Sequence, residues 1–179
     1  AEYFYPDILP NLSTCKSPQQ MMGALVKTYY AKKIGKKPEE IVMVSVMPCT
    51  AKKLEAARDE MNDSGAQDVD VVLTTRELGH MIHQAGIDFL SLEDSKMDAP
   101  LGLSSGAADI FANTGGVMEA ALRSAYFLIT KEDLEDVNFM DVRGMEGVKA
   151  AEIDIKGTKV RVAIAHQMGN VEALLNEIR

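Results

Sequence analysis

The alternation of apolar and polar positions divides the chain into short segments of distinct period. Ser17-Pro18-Gln19-Gln20 carries a helix start: Ser17 suits the N-cap, Pro18 the first helical position, and Gln20 completes a capping box. The spacing predicts a helix that buries Met21, Met22, Leu25 and Val26 and ends near Gly35. Ile41-Val42-Met43-Val44-Ser45-Val46 is an apolar run without polar alternation, which predicts a strand buried on both faces, as in a parallel sheet. Met47-Pro48-Cys49-Thr50 follows, then a helical stretch from Ala51 to Met61. A second strand, Val69 to Leu73, runs into Thr74-Thr75-Arg76-Glu77, where Thr74 and Glu77 form another capping box for a helix to about Gln84. The helix-length crossover predicts that the two strands pair in parallel, with Cys49 at the carboxyl edge of the sheet.

The second half is patterned differently. Residues 86–113 read as loop, and Ser104-Ser105-Gly106-Ala107-Ala108 is small-residue backbone open to close approach. Thr114-Gly115-Gly116 leads into a helix from Val117 to about Ile129. Asn138 to Val142 is a candidate strand, and Ala150–Lys156 and Lys159–Ala165 alternate around Lys156-Gly157-Thr158, a hairpin signal. Gly169 to Arg179 reads as a final helix. This order predicts an α/β fold with a mostly parallel or mixed sheet flanked by helices, residues 1–179 forming a single α/β unit.

Composition narrows the function classes. With 46% hydrophobic and 26% charged residues, the 179-residue chain is neither disordered nor of low complexity. No run approaches the roughly 18 consecutive apolar residues of a membrane span. A net charge of −8 argues against a nucleic-acid partner. Two cysteines, Cys15 and Cys49, exclude a disulfide scaffold. The chain begins at Ala1, and Tyr3-Phe4-Tyr5-Pro6 does not look like a signal peptide, so it reads as a processed product or a piece of a longer protein.

Cys49 is the most suggestive candidate for chemistry. It lies where a strand gives way to a helix, the edge at which α/β sheets gather ligands. Backbone N–H groups at a helix start and the nearby Lys52 and Lys53 favour a thiolate, so Cys49 reads as a reactive nucleophile, a metal ligand or a small buried hydrophobe. A nucleophile needs a base, and the histidines are His80, His83 and His166. His80 and His83 share a helix face without a third ligand spaced to match, and read as solvated. An iron–sulfur cluster takes about four cysteines, more than this chain carries. Asn113-Thr114-Gly115-Gly116 fits an anion site at a helix start or close helix packing, and Glu119 and Arg123 fit an ion pair one turn apart.

At Met47-Pro48-Cys49-Thr50-Ala51-Lys52-Lys53-Leu54-Glu55-Ala56 the sequence resembles the second signature of the iron-only (FeFe) hydrogenases. The resemblance spans essentially the whole chain. It takes in Leu12-Ser13, Lys16-Ser17-Pro18-Gln19-Gln20, Thr74-Thr75-Arg76-Glu77-Leu78, Leu92-Glu93-Asp94-Ser95 and Val142-Arg143-Gly144, together with the stretch from Thr114-Gly115-Gly116 to Arg123. It implies one lobe of the hydrogenase catalytic domain and a site called the H-cluster, a 4Fe–4S cubane bridged by a cysteine to a two-iron unit with CO, cyanide and dithiolate ligands. By resemblance, Cys49 is one cubane ligand and Lys52 donates a charge-assisted hydrogen bond to a cyanide. Met47 and Phe111 line the apolar surroundings of the two-iron unit, Ser17 and Gln19 sit near it, and Pro48 fixes the backbone. Ser13 matches a serine that relays protons.

The family's other cysteine signatures have no counterpart within residues 1–179, so the cofactor would be liganded mostly from outside this chain. The function implied is reversible reduction of protons to hydrogen, with this segment inactive by itself. The partners implied are the remainder of the catalytic domain, a ferredoxin-type or other redox carrier, protons and hydrogen, in the cytoplasm or periplasm. The alternative is a non-catalytic relative used in iron–sulfur assembly or sensing; Met47 and the full Met-Pro-Cys-Thr-Ala-Lys-Lys string disfavour the assembly relative, whereas the domains that mark a sensory one would lie outside this chain. A thiol enzyme built on Cys49 lacks an identifiable base.

Overall fold

The computed structural model describes residues 1–179 except 104, 105, 112 and 136. Its chain separates into two compact units, residues 1–101 and 102–179. Together they give the mixed α/β composition, with parallel and antiparallel pairing housed in separate sheets.

In the first unit, α1 (Pro18–Leu25) continues through a π-helical turn at Val26–Tyr30 into α2 (Ala31–Lys33). The helical path stops ahead of Gly35, whose φ of +69° favours glycine. Ser17 caps α1 by accepting the Gln20 N–H at 3.3 Å. The expected capping box is only half formed: the Gln20 side chain is fully buried, and neither of its amide atoms has a partner among the described residues.

The buried face of this helical stretch also differs from the expectation. Met21, Met22 and Leu25 are exposed and Val26 is half-buried, while Gln19, Gln20, Gly23, Lys27 and Ala31 are buried. The reason lies across the interface. A Cβ added at Gly23 would stand 2.5 Å from the Asp68 carbonyl oxygen, so only glycine lets the helix approach this closely. One turn on, the Lys27 ammonium, 1% exposed, donates to the Gln67 carbonyl and to Asp70 at 2.8 Å. Asp70 also accepts the Met43 N–H at 2.6 Å. Burial pushes the Asp70 carboxyl up, but the bonds from Lys27 and Met43 outweigh it and hold the group below its ordinary value. Carboxylate and carbonyl acceptors therefore bury a lysine at the turn where periodicity alone buries Leu25 and Val26.

β1 (Val44–Val46) and β2 (Val71–Leu73) pair in parallel, Ser45 opposite Val72, as the crossover predicts. The strands are shorter than the apolar runs, and the predicted two-sided burial is not met: Val44 and Val46 are 47% and 43% exposed. The other side packs on a small core of Ala56, Val69 and Val72, with Met43 and Met47 against it. α3 (Ala51–Ala56) ends well before Met61. Beyond it the Met61 carbonyl accepts the Asp68 N–H, and the Asp63 and Ser64 N–H groups donate to the Asp68 carboxylate, so backbone groups that could extend the helix tie a loop instead.

α4 (Thr75–Gln84) carries the complete capping box that Thr74 and Glu77 predict, with Thr74 N–H donating to Glu77 at 2.7 Å and Glu77 N–H to the Thr74 hydroxyl at 3.2 Å. The Lys53 ammonium, 2.8 Å from Glu77, and the Thr74 N–H hold the Glu77 carboxyl down at about 2. A carboxyl depressed by folding stabilises the protein above its ordinary value of 4.5 and loses that contribution as pH falls towards 2. Glu77→Gln is therefore expected to flatten the dependence of melting temperature on pH between about 5 and 2. An unchanged acid limb in thermal melts would show that the ion pair does not couple to folding.

In the second unit, α5 (Ala107–Phe111) packs on α6 (Gly116–Thr130) so closely that a Cβ at Gly116 would collide with the Ile110 carbonyl oxygen. Thr114-Gly115-Gly116 thus has the close-packing role among its two readings. β3 (Met140–Asp141), β4 (Val148–Ile155) and β5 (Thr158–Ala165) form an antiparallel sheet. Lys156 and Gly157, both at positive φ, make the two-residue turn that matches strand twist. α6 and α7 (Met168–Ile178) pack on β4, and Leu122, Val148 and Ile153 are buried. Arg123 holds Glu119 at 2.8 Å, as their spacing predicts, and also donates to the Leu134 carbonyl.

Candidate functional site

The parallel ladder runs one step past β1, where Met47 N–H donates to the Leu73 carbonyl at 2.9 Å. Pro48 has no N–H and ends the pairing, which releases Cys49 into the connection ahead of α3. The Cys49 thiol is free and exposed, which removes its reading as a buried structural residue. Its carbonyl accepts the Lys52 N–H at 3.3 Å, so Cys49 and Lys52 are linked through the first turn of α3. Met47 is half-buried on the core, so part of its side chain is committed to packing.

The structure brings Gln19 and Lys52 together. Gln19, buried on α1, accepts the Ser45 hydroxyl at 2.7 Å. Its amide nitrogen lies 3.4 Å from Glu55 Oε2 and 3.5 Å from the Lys52 carbonyl, both long bonds. The Lys52 ammonium donates to that same Glu55 oxygen at 2.9 Å. Ser45 and Glu55 are the two members of this group that the sequence reading passed over. The available signals were a single hydroxyl inside an apolar run and a carboxylate three residues after Lys52, a spacing that places the two on adjoining parts of a helix face.

The other predicted residues are not members of this hydrogen-bonded group. Ser17 is occupied as the N-cap of α1. Ser13 is exposed and accepts the Cys15 N–H at 3.1 Å. Phe111 belongs to the second unit, on α5, and is partly exposed. His80, His83 and His166 are exposed, and Ser104 and Ser105 lie outside the described residues. Among the described residues no three Cys, His, Asp or Glu side chains converge to hold a metal. The donor set fits one corner of an iron–sulfur group: one accessible thiol with an ammonium nearby. The other thiolates of a four-cysteine cluster must come from outside this set. Among the described residues no helix is long and apolar enough to cross a membrane.

An exposed cysteine at the carboxyl end of a parallel strand, followed one helical turn later by a lysine, stands at the edge where α/β folds gather their ligands. The family described as the iron-only hydrogenase large subunit, C-terminal domain, matches residues 1–179, and the chain belongs to that family. It is 53% identical, over 97% of its length, to the NADP-reducing hydrogenase subunit HndD of Solidesulfovibrio fructosivorans, and covers 30% of that protein. It is 48% identical over its full length to the periplasmic Fe hydrogenase large subunit of Nitratidesulfovibrio vulgaris, covering 42% of it. A probable cytosolic Fe-S cluster assembly factor of Nematostella vectensis is 34% identical over 96% of the chain, which covers 40% of that protein. Among solved structures, the apo FeFe-hydrogenase of Chlamydomonas reinhardtii matches with a TM-score of 0.80 and 39% identity, over 97% of this chain and 51% of that one. The chain thus spans about half or less of the proteins it matches.

Proposed function

We propose that this chain is part of an iron-only hydrogenase that catalyses the reversible reduction of protons to molecular hydrogen at an H-cluster. The observation that carries the reading is the exposed Cys49 thiol, one turn from the Lys52 ammonium, within a segment matching the hydrogenase signature. A solved relative, 38% identical over 97% of this chain, is an FeFe-hydrogenase captured during stepwise H-cluster assembly. When bound, that group supplies iron that carries electrons to protons.

The residues of this chain have the following parts. Cys49, as thiolate, holds one corner of the cubane. Lys52 presents N–H donors to an anionic ligand, where a charge-assisted bond is stronger than a neutral one. Met47 supplies apolar surface that keeps bulk water away, Phe111 on the second unit is given the same part by resemblance alone, and Pro48 fixes the backbone at Cys49. Gln19 and Ser17 order the start of α1 near that surface. Ser13 both donates and accepts through one oxygen, as passing a proton requires. The remainder of the catalytic domain supplies the other thiolates and covers apolar side chains left open in this chain, Val44 and Val46 among them. A ferredoxin-type or similar carrier exchanges electrons with the complete protein.

The test is hydrogen production from a strong reductant by the anaerobically loaded holo-protein, with Cys49→Ser beside it. The reading expects activity in the wild type and its loss, with loss of cubane absorption, in Cys49→Ser. A loaded wild type that neither forms nor consumes hydrogen would favour the assembly-factor reading, which the relative from Nematostella vectensis supports at lower identity.

A further inference from the structure

Glu55 and Ser45 stand behind Lys52 at the two ends of one bonded chain. The Ser45 hydroxyl donates to Gln19 Oε1 at 2.7 Å, and on α3 the Glu55 carboxylate and the Lys52 carbonyl, which only accept, face the amide nitrogen and set the sense of the Gln19 amide. That nitrogen and the Lys52 ammonium both approach Glu55 Oε2, at 3.4 Å and 2.9 Å. Three separate elements meet here: Gln19 on α1, Ser45 at the middle of β1, and Lys52 with Glu55 on α3. The members are half-buried or buried, where a hydrogen bond orients more strongly than in open water.

The donor count gives this arrangement its consequence. A lysine ammonium carries three N–H groups. Glu55 is the partner of one, and no other partner of the ammonium is found among the described residues. A long flexible side chain is thereby held in one place with donors left over. A free lysine would lose rotamer entropy on binding an anion; one already anchored has lost part of it beforehand.

We propose that Glu55, steadied by the Ser45–Gln19 bond, is a positioning residue that holds the Lys52 ammonium ready to donate to an anionic ligand of the two-iron unit. This rests on the role given to Lys52 above. Removing partners that orient a metal-site residue typically lowers affinity about 10- to 100-fold.

The experiment compares loaded holo-protein carrying Glu55→Gln, Lys52→Ala and both changes. Its readouts are the infrared bands of the cyanide ligands and the amount of two-iron unit retained, with melting temperature as the folding control. Glu55→Gln is expected to shift the cyanide bands and reduce retention about tenfold. The double variant is expected to be no worse than Lys52→Ala alone, because Glu55 acts through Lys52. Unchanged bands and retention in Glu55→Gln, or a further loss in the double variant, would overturn the proposal. If Lys52→Ala itself leaves the bands unchanged, the role of Lys52 fails and this proposal falls with it. If instead Lys52→Ala responds and Glu55→Gln does not, the positioning role alone fails. Should Glu55→Gln not fold, Ser45→Ala decides: shifted bands support the chain, and wild-type bands overturn it.

Discussion

Lys52→Ala in the loaded holo-protein is expected to lose most of its two-iron unit while melting close to the wild type. The two halves of that result have different causes. The Lys52–Glu55 pair is only partly buried, with side chains 24% and 21% exposed, and such a pair contributes little to folding, about 1 kcal/mol or less. Removing the ammonium leaves Glu55 with the Gln19 amide and access to water, so no deeply buried charge is orphaned. An anionic ligand in a water-poor site has no such recourse. It loses a charge-assisted donor, worth about twice a neutral hydrogen bond, and second contacts of this kind change metal-group affinity roughly 10- to 100-fold. Iron content per protein and the infrared bands of CO and cyanide measure the effect. Wild-type bands with full activity would remove Lys52 from the site.

The 179-residue chain prepared by itself is expected to bind no cubane and to evolve no hydrogen. The limit is set by ligands. A cubane takes about four thiolates, and this sequence supplies Cys49 and Cys15, both free. Side chains of other types do not fill the gap, since no group of three potential ligands converges among the described residues. The same preparation is expected to self-associate, because Met21, Met22, Leu25, Val44 and Val46 are open to solvent. Iron analysis and visible absorption after anaerobic reconstitution, on material separated by size, decide the matter. One cubane per monomer would overturn the expectation.

How far the sequence could be read depended on the range of the interactions. The capping box of α4 and the turn of the β4–β5 hairpin are written in adjacent residues, Thr74 with Glu77 and Lys156 with Gly157, and both were legible. The parallel pairing of β1 with β2 followed from two apolar runs joined by a crossover of helical length. Cys49 could be placed at the strand end because the apolar run stops at Val46 and a helical stretch begins at Ala51.

Three features had no local signal. The half-formed cap at Ser17 follows from Gln20 turning inward, although its sequence pattern matches that of Thr74 and Glu77. The buried face of α1 is set by Asp68 and Asp70, more than 40 residues from Gly23 and Lys27, whose acceptors make a polar, closely approached face favourable. The Ser45–Gln19–Glu55–Lys52 group needs a strand and two helices to meet. The sequence by itself therefore determined most of the secondary elements, their order and the chemistry-bearing segment from Met47 to Ala56, because caps, turns and apolar runs act over a few residues; it did not give α5, which lies in a stretch that reads as loop, or the early end of α3. Only the tertiary structure decided which faces are buried and which side chains share an oxygen, because those choices depend on partners that distant parts of the chain supply.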